Sequence, residues 1–331
     1  MFRLKEFIRK KLLSKLNKKA LDSAYSVYYK LRYPNLMEKK RTYGNYNKDK
    51  IFYVIRPRTD GVEGLMSLFI NVVKNMVYAV EHDYTAIVDF KNYKTQYQES
   101  NENVWELFFT QPSNVSLEEV YRSKNVILSG LEIQRYENPL IDKSYNNDNI
   151  NRLHDFIFNR IDYKDAVYKT VGEEISKLGL DFGNTIGLYL RGTDYVALKP
   201  AGHPVQPTVE EAIEVVNDFK NRYGLKKIFL VTEDGTIYKK IKEQYGDECI
   251  IVSYDTFVNN YSGKDFLSQD KALKDLDESP YNRGIHYLVK LIILSKCSYF
   301  IGGDTMGSWA SCIFSGKELI DKYIFDLGFY K

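Results

Sequence analysis

Apolar residues recur along the chain in two rhythms. In residues 1–20, Leu4, Ile8, Leu12 and Leu16 stand four apart with Phe7 and Leu13 beside them, the spacing of one helix face. Residues 21–50 are polar, rich in Tyr, Lys and Asn, and read as a connector. Then 51–55 reads as a buried strand, 56–61 as a turn, 65–79 as an apolar helix and 85–90 as a second strand. That is a βαβ unit, which implies a parallel sheet. Residues 126–128 read as a short strand and 150–178 as helical.

The second half is more regular. Residues 185–190 predict a strand ending at Arg191. Thr208, with Glu211 three residues on, predicts a capped helix reaching Tyr223. Strand 227–231 ends in Thr232, Glu233, Asp234 and Gly235; helix 236–245 and strand 249–252 follow. Residues 255–280 form a long polar segment, the kind that serves as a lid or an insert. Helix 285–295 and strand 298–301 lead into Gly302, Gly303 and Asp304, which open a last core helix. No internal repeat is evident. The pattern describes two α/β halves joined near residues 175–182.

At 331 residues the chain is long enough for about two domains. It has no run of about 18 apolar residues, so no transmembrane helix is expected. Aromatic residues make up 15%, too many for a disordered chain. Three cysteines (Cys249, Cys297, Cys312) and four histidines, without CxxC spacing, argue against structural zinc and a disulfide framework. A reducing compartment fits best. Net charge is +3, but residues 1–20 alone carry +7, so the remainder is −4. An acidic body argues against nucleic acid as partner. The basic helix reads either as a foot on an anionic membrane, where each Lys or Arg adds about 1 kcal/mol, or as a solvated or packed leading helix.

Ligands of parallel sheets sit at the carboxyl ends of strands. Three polar clusters occur there: Arg191 to Asp194, Thr232 to Gly235, and Gly302 to Ser308. Arg191 can grip a phosphate with two parallel N–H bonds or pair with Asp194 to shape the turn. The glycines at 302–307 let backbone N–H groups approach an anion, helped by Thr305 and Ser308, or simply begin a buried helix. Neither GxxxxGK[ST] nor GxGxxG is present. Glu233 and Asp234 can bind ribose or a base edge, or Asp234 can cap the next helix. Asp275 and Asp277 spell DxD, a divalent-metal pattern, but within the charged 255–280 segment. No Ser/His/Asp or Cys/His set has readable spacing. Tyr93, Tyr97, Tyr136 and Tyr145 can line a sugar cleft or be scattered exposed tyrosines, and the second is the ordinary expectation.

These residues resemble the fucosyltransferase superfamily: core α1,6- and nodulation fucosyltransferases and, more distantly, α1,2- and protein O-fucosyltransferases. Residues 186–195, with Arg191, Thr193 and Asp194, are similar to the family's first motif, followed by His203 and Pro204. Residues 228–235 resemble its strand ending in Thr-Asp-Asp. Arg283, Gly284 and residues 299–308 resemble its last motif. Residues 61–89 and the pair Trp105, Glu106 are similar more loosely. The resemblance spans roughly residues 50–315.

It implies two Rossmann-like domains facing across a cleft (GT-B-like). They follow a basic segment and connector at 1–45, with an acceptor-side α/β domain at 46–178 and a nucleotide-sugar domain at 179–331. It implies an inverting transferase that needs no metal or cofactor. The donor would be a GDP-sugar, typically GDP-fucose, and the acceptor a glycan or lipid-linked glycan of surface polysaccharide or lipopolysaccharide synthesis. The basic residues 1–20, read as a membrane foot, would place it in the cytoplasm, peripheral on the inner membrane face. Arg191 would hold the β-phosphate and Asp194 order its loop. Tyr189, Glu233, Asp234, Asp304, Thr305, Met306, Gly307 and Ser308 would surround the donor, and Glu63, Asp60 and His203 are candidate bases. Four departures stand out. Gly192 replaces the second motif arginine, Tyr189 a frequent histidine, and Lys199 falls where core fucosyltransferases carry a glutamate; the segment from Asp194 to His203 is also longer. Two other readings stay open: a different GDP-sugar (deoxyheptose or rhamnose), or an inactive nucleotide- or glycan-binding module.

Overall fold

A computed structural model describes residues 37–58, 63–130, 138, 140–259, 261, 263, 266–267 and 278–331. The basic segment 1–20, Asp60, Tyr136, Asp275 and Asp277 lie outside the described residues.

The first sheet holds β1 (Lys39–Arg41), β2 (Tyr46–Ile55), β3 (Thr85–Val88) and β4 (Ser123–Leu128), in the order β1-β4-β2-β3. β2 runs parallel to β3 and β4, and only β1 is antiparallel. Helix α1 (Leu65–Glu81) makes the crossover from β2 to β3. Along β2, Phe52 and Val54 face an outer core with Val126 and Leu128, while Tyr53 and Ile55 face the helices. Burial on both faces makes 52–55 continuously apolar. The preceding residues 46–50 are strand too, but largely exposed and polar, so hydrophobic pattern misses them. β1 is missed for the same reason.

The helical stretch 150–178 is two helices, α2 (Asn147–Phe158) and α3 (Asp165–Leu178). Residues 159–164 leave the helix because their backbone is used elsewhere. The Thr110 N–H donates to the Asp162 carbonyl (2.8 Å), and the Lys164 N–H to that of Phe108 (3.0 Å).

The second sheet is wholly parallel: β5 (Thr185–Tyr189), β6 (Lys227–Val231), β7 (Cys249–Ile250), β8 (Tyr299–Gly303) and β9 (Asp321–Phe325), ordered β7-β6-β5-β8-β9. Its helices are α4 (Thr193–Leu198), α5 (Val209–Tyr223), α6 (Gly235–Tyr245), α7 (Pro280–Lys296) and α8 (Met306–Ser315). α5 starts with the full capping box of Thr208 and Glu211 and stops at Gly224, φ 69°. α4 and β9 carry no pattern of their own: α4 is one short turn and a half, and β9 is a mostly half-exposed edge strand.

One face of this sheet (Ile186, Leu188, Ile228, Leu230, Ile301) packs under α5 and α6. The other (Tyr189, Phe229, Val231, Phe300) packs under α7 and α8. α7 comes close because Gly187 has no side chain: a Cβ there would stand 3.1 Å from Leu294 Cδ2. That second face shares one continuous core with α1, α2 and α3. Trp309 of α8, fully buried, donates its indole N–H to the Ser144 carbonyl at 3.1 Å and so pins the loop before α2 to the second sheet's helices. All three cysteines are buried and unpaired; burial pushes the Cys249 thiol up to about 11. Among the described residues no helix is long and apolar enough to cross a membrane.

Candidate functional site

In the second sheet the chain leaves β5 toward β6 on one side, and leaves β8 toward β9 on the other. Between β5 and β8 the strand order reverses, and such a switch point opens a crevice at the carboxyl ends. A cleft of about 680 Å³ opens here. Arg191 enters it from β5, Glu233 from β6, and Asp304, Thr305, Met306 and Gly307 from the end of β8. The first half closes the other wall with Glu63 to Ser67 and Tyr97.

Arg191 is held from several sides. Its Nη2 donates to both carboxylate oxygens of Asp194, each at 3.2 Å, and its guanidinium lies 4.2 Å over the Tyr195 ring. Glu233 Oε1 stands 3.9 Å from Nε, too far for a hydrogen bond, and Nε has none among the described residues. Burial works against the charge of Arg191, but Glu233 and Asp194 outweigh it and raise the pKa. The arginine stays a cation with donors to spare. Burial pushes the Glu233 carboxyl above its usual range, and Arg191 only partly offsets this.

Asp194 is fully buried and also accepts the backbone N–H groups of Tyr195 (3.1 Å) and Leu267 (3.0 Å). It thereby ties the arginine loop to the 255–280 segment. Thr193 adopts φ 43°, a left-handed conformation that a β-branched residue takes only when its surroundings enforce it. The enforcement is visible: its N–H donates to Asp234 Oδ2 (2.9 Å) and its hydroxyl to Glu233 Oε1 (3.0 Å).

His203 stands at the cleft edge, its ring 5.2 Å from that of Tyr195 and 5.4 Å from that of Phe266. Backbone bonds to segment 328–330 fix its loop; the Tyr330 N–H donates to the His203 carbonyl at 2.9 Å. Burial, and next the Arg191 charge, lower the His203 pKa from its ordinary value, which favours the neutral ring.

The N-terminus of α8 lines the same cleft as Arg191. Thr305 caps it by accepting the Ser308 N–H (3.0 Å), which leaves the N–H groups of Met306 and Gly307 without intrahelical partners. Asp304 receives Lys143 as an ion pair and the Tyr145 hydroxyl at 2.9 Å. Burial and the Asp304 charge raise the Tyr145 pKa, so that phenol remains a donor.

The remaining candidates are placed differently. Asp234 does not line the cleft; one oxygen caps α6 through Thr236 and Ile237 and the other holds Thr193. Ser308 is fully buried and donates to the Gly303 carbonyl, a brace inside the turn. Glu63 lines the cleft, but its carboxylate receives both the side chain (2.7 Å) and the backbone N–H (2.9 Å) of Arg58. Gly192 leaves no space for an arginine, because any Cβ would overlap the Asp234 carboxylate. Lys199 closes α4 at φ 45°.

Tyr97 and Tyr145 are not scattered surface residues. Tyr97 is buried and accepts the Leu65 N–H at 2.9 Å, while Tyr145 reaches Asp304. Tyr287, Lys143 and Phe329 line the cleft without a sequence signal. Tyr287 lies inside an apolar helix pattern, and the other two in segments without periodicity.

No model of a protein family matches the sequence, and no curated protein matches it. Solved structures do. The chain is similar in fold to fucosyltransferases. The NodZ α-1,6-fucosyltransferase soaked with GDP-fucose is 13% identical, with a TM-score of 0.48 over 84% of this chain and 96% of that one. The fucosyltransferase NodZ from Bradyrhizobium is 14% identical, with a TM-score of 0.45 over 80% and 92%. POFUT1 in complex with GDP is 11% identical, with a TM-score of 0.36 over 84% and 74%. Among the described residues there is no group of three His, Cys, Asp or Glu side chains able to hold a metal ion.

Proposed function

We propose that this protein is an inverting glycosyltransferase that takes a nucleoside-diphosphate sugar at the β5/β8 switch point and passes the sugar to a glycan hydroxyl. One observation carries the reading: Arg191 and the open N-terminus of α8 face the same cleft from adjacent strands. A fixed cation and unpartnered backbone N–H groups together suit a diphosphate. The resemblance of residues 186–195, 228–235 and 299–308 to fucosyltransferase motifs supports a GDP-sugar as donor, most simply GDP-fucose.

The chemistry follows from charge. As the sugar leaves the β-phosphate it becomes oxocarbenium-like, and negative charge gathers on the nucleoside diphosphate. Arg191 and the α8 N–H groups are already oriented toward that charge and need no reorganisation when it forms. They supply the stabilisation that a divalent cation gives elsewhere, so turnover should survive a chelator. The acceptor hydroxyl loses a proton to a base on the cleft wall. Neutral His203 suits this role better than Glu63, whose carboxylate is taken by Arg58. Glu63 to Ser67 and Tyr97 offer the acceptor side. The acceptor we infer is a surface glycan, free or lipid-linked, and the basic residues 1–20 support peripheral contact with an anionic membrane.

Calorimetric titration with GDP, UDP and CDP, with and without Mg²⁺, tests this reading. Wild type should bind GDP without metal, and Arg191→Ala should lose at least 100-fold in turnover, the usual effect of removing one such donor. Acceptor-dependent release of GDP from GDP-fucose separates an enzyme from a binding module. UDP binding that needs Mg²⁺, or no GDP binding, sinks the proposal.

A further inference from the structure

Two tyrosines reach the cleft from different elements. Tyr189 ends β5, Tyr287 lies two turns into α7, and their hydroxyls meet at 3.2 Å. They meet directly over Gly307: a Cβ there would stand 2.6 Å from Tyr287 Oη and 2.7 Å from Tyr189 Oη. Gly307 is the second residue of α8, so the pair sits at the helix's open first turn. Glycine at this position leaves free the space that the two hydroxyl groups fill.

Counting hydrogens leaves the pair one O–H to give. Two phenols carry two protons, and one lies in the bond between them. Neither hydroxyl has another partner among the described residues. One O–H therefore remains, and both residues line the cleft. Either hydroxyl can donate within the pair; Tyr287 is the more exposed residue, half-buried against 3% for Tyr189, so we take Tyr287 as the outward donor and Tyr189 as the residue that orients it. Burial raises both phenol pKa values, so both remain donors at neutral pH. The Arg191 cation and the α8 N–H groups are donors at the same cleft, and a further neutral donor beside them suits an anionic oxygen.

We propose that Tyr189 and Tyr287 form a hydroxyl relay whose free O–H, on Tyr287, donates to a phosphoryl oxygen of the departing nucleoside diphosphate. This rests on the glycosyltransferase reading above. No proton changes owner; the relay only holds and stabilises the leaving group. Tyr287 would touch the substrate, and Tyr189 is a positioning residue.

The test uses the full chain with Tyr287→Phe, Tyr189→Phe and the double variant. Three quantities are measured: GDP affinity by calorimetry, kcat with GDP-fucose, and the phosphorus NMR signal of the β-phosphate of bound GDP. Tyr287→Phe should lower kcat by on the order of 10- to 100-fold, the range for a hydrogen bond to a charged group, and shift the β-phosphorus signal, with an unchanged melting temperature. Tyr189→Phe should lose less. The double variant should match Tyr287→Phe, because two members of one relay are not independent. Suppose GDP still binds and Arg191→Ala abolishes turnover. Then an unchanged kcat and phosphorus signal in Tyr287→Phe, or fully multiplicative losses in the double variant, overturn the relay and leave the transferase reading intact. A wild type that does not bind GDP overturns both.

Discussion

In the motif that residues 186–195 resemble, the position of Gly192 is an arginine, so adding a side chain there looks like a repair. The geometry predicts damage. A methyl group on Gly192 would overlap Asp234 Oδ2 and stand 2.7 Å from its Cβ and Cγ. Asp234 would have to swing away from three N–H groups: Thr236 at 2.8 Å, Ile237 at 3.2 Å and Thr193 at 2.9 Å. Losing the α6 cap costs about 1 kcal/mol. Leaving the N–H of buried Thr193 unbonded costs another ~1–3 kcal/mol. Against this, replacing glycine stabilises by only ~0.4–1 kcal/mol through the unfolded chain. The clash wins by about 1–3.6 kcal/mol, with about 2 kcal/mol as a central figure. Gly192→Ala should therefore lower the melting temperature by roughly 4–8 °C if about 2 kcal/mol is lost from a cooperative unit of 150–250 residues. GDP affinity should fall as well, since Thr193 and Glu233 position the Arg191 loop. Scanning fluorimetry with and without GDP reads both effects, and Gly192→Arg should be no better than Gly192→Ala. An unchanged or raised melting temperature in Gly192→Ala would refute the argument.

Two further outcomes follow from the same structure. Because burial and Arg191 depress the His203 pKa, the ring takes up a proton only below 6.5; kcat/KM should fall as pH drops through that lowered value, and His203→Asn should remove this acid limb. The sign for stability is the same. The unfolded chain protonates His203 first, so the stability tied to the neutral ring is present above 6.5 and is lost toward the lower folded value. Gly187→Ala would place a methyl 3.1 Å from Leu294 Cδ2 and 3.2 Å from Cys297 Cβ, and should cost ~1–3 kcal/mol in urea unfolding by forcing α7 off the sheet. A neutral substitution there would mean that α7 adjusts freely.

Much of the scaffold is legible along the chain. Strands β5, β6 and β8 announce themselves as short apolar runs, because a parallel sheet buries both faces. The capped start of α5 is readable from Thr208 and Glu211 alone, since a capping box spans four residues. Elements whose stability comes from pairing rather than burial are silent: β1, the polar start of β2, and β9. The break between α2 and α3 is silent too, for it depends on backbone partners at residues 108–110.

The site divides in the same way. Arg191, Glu233 and the 304–307 turn stand at the ends of apolar strands, and strand periodicity is local, so the sequence by itself determined that these groups share one edge of a sheet. It could not determine which of them point at a ligand. Asp234 turns inward to cap α6 while its neighbour Glu233 enters the cleft, although both are acids after the same strand. Gly192 departs from the motif because Asp234 fills its space. Tyr189 and Tyr287 are 98 residues apart and meet only when α7 packs on β5. Contacts at that separation leave no period in the chain. Only tertiary packing, which brings distant side chains within 3–4 Å of one another, decides what they do.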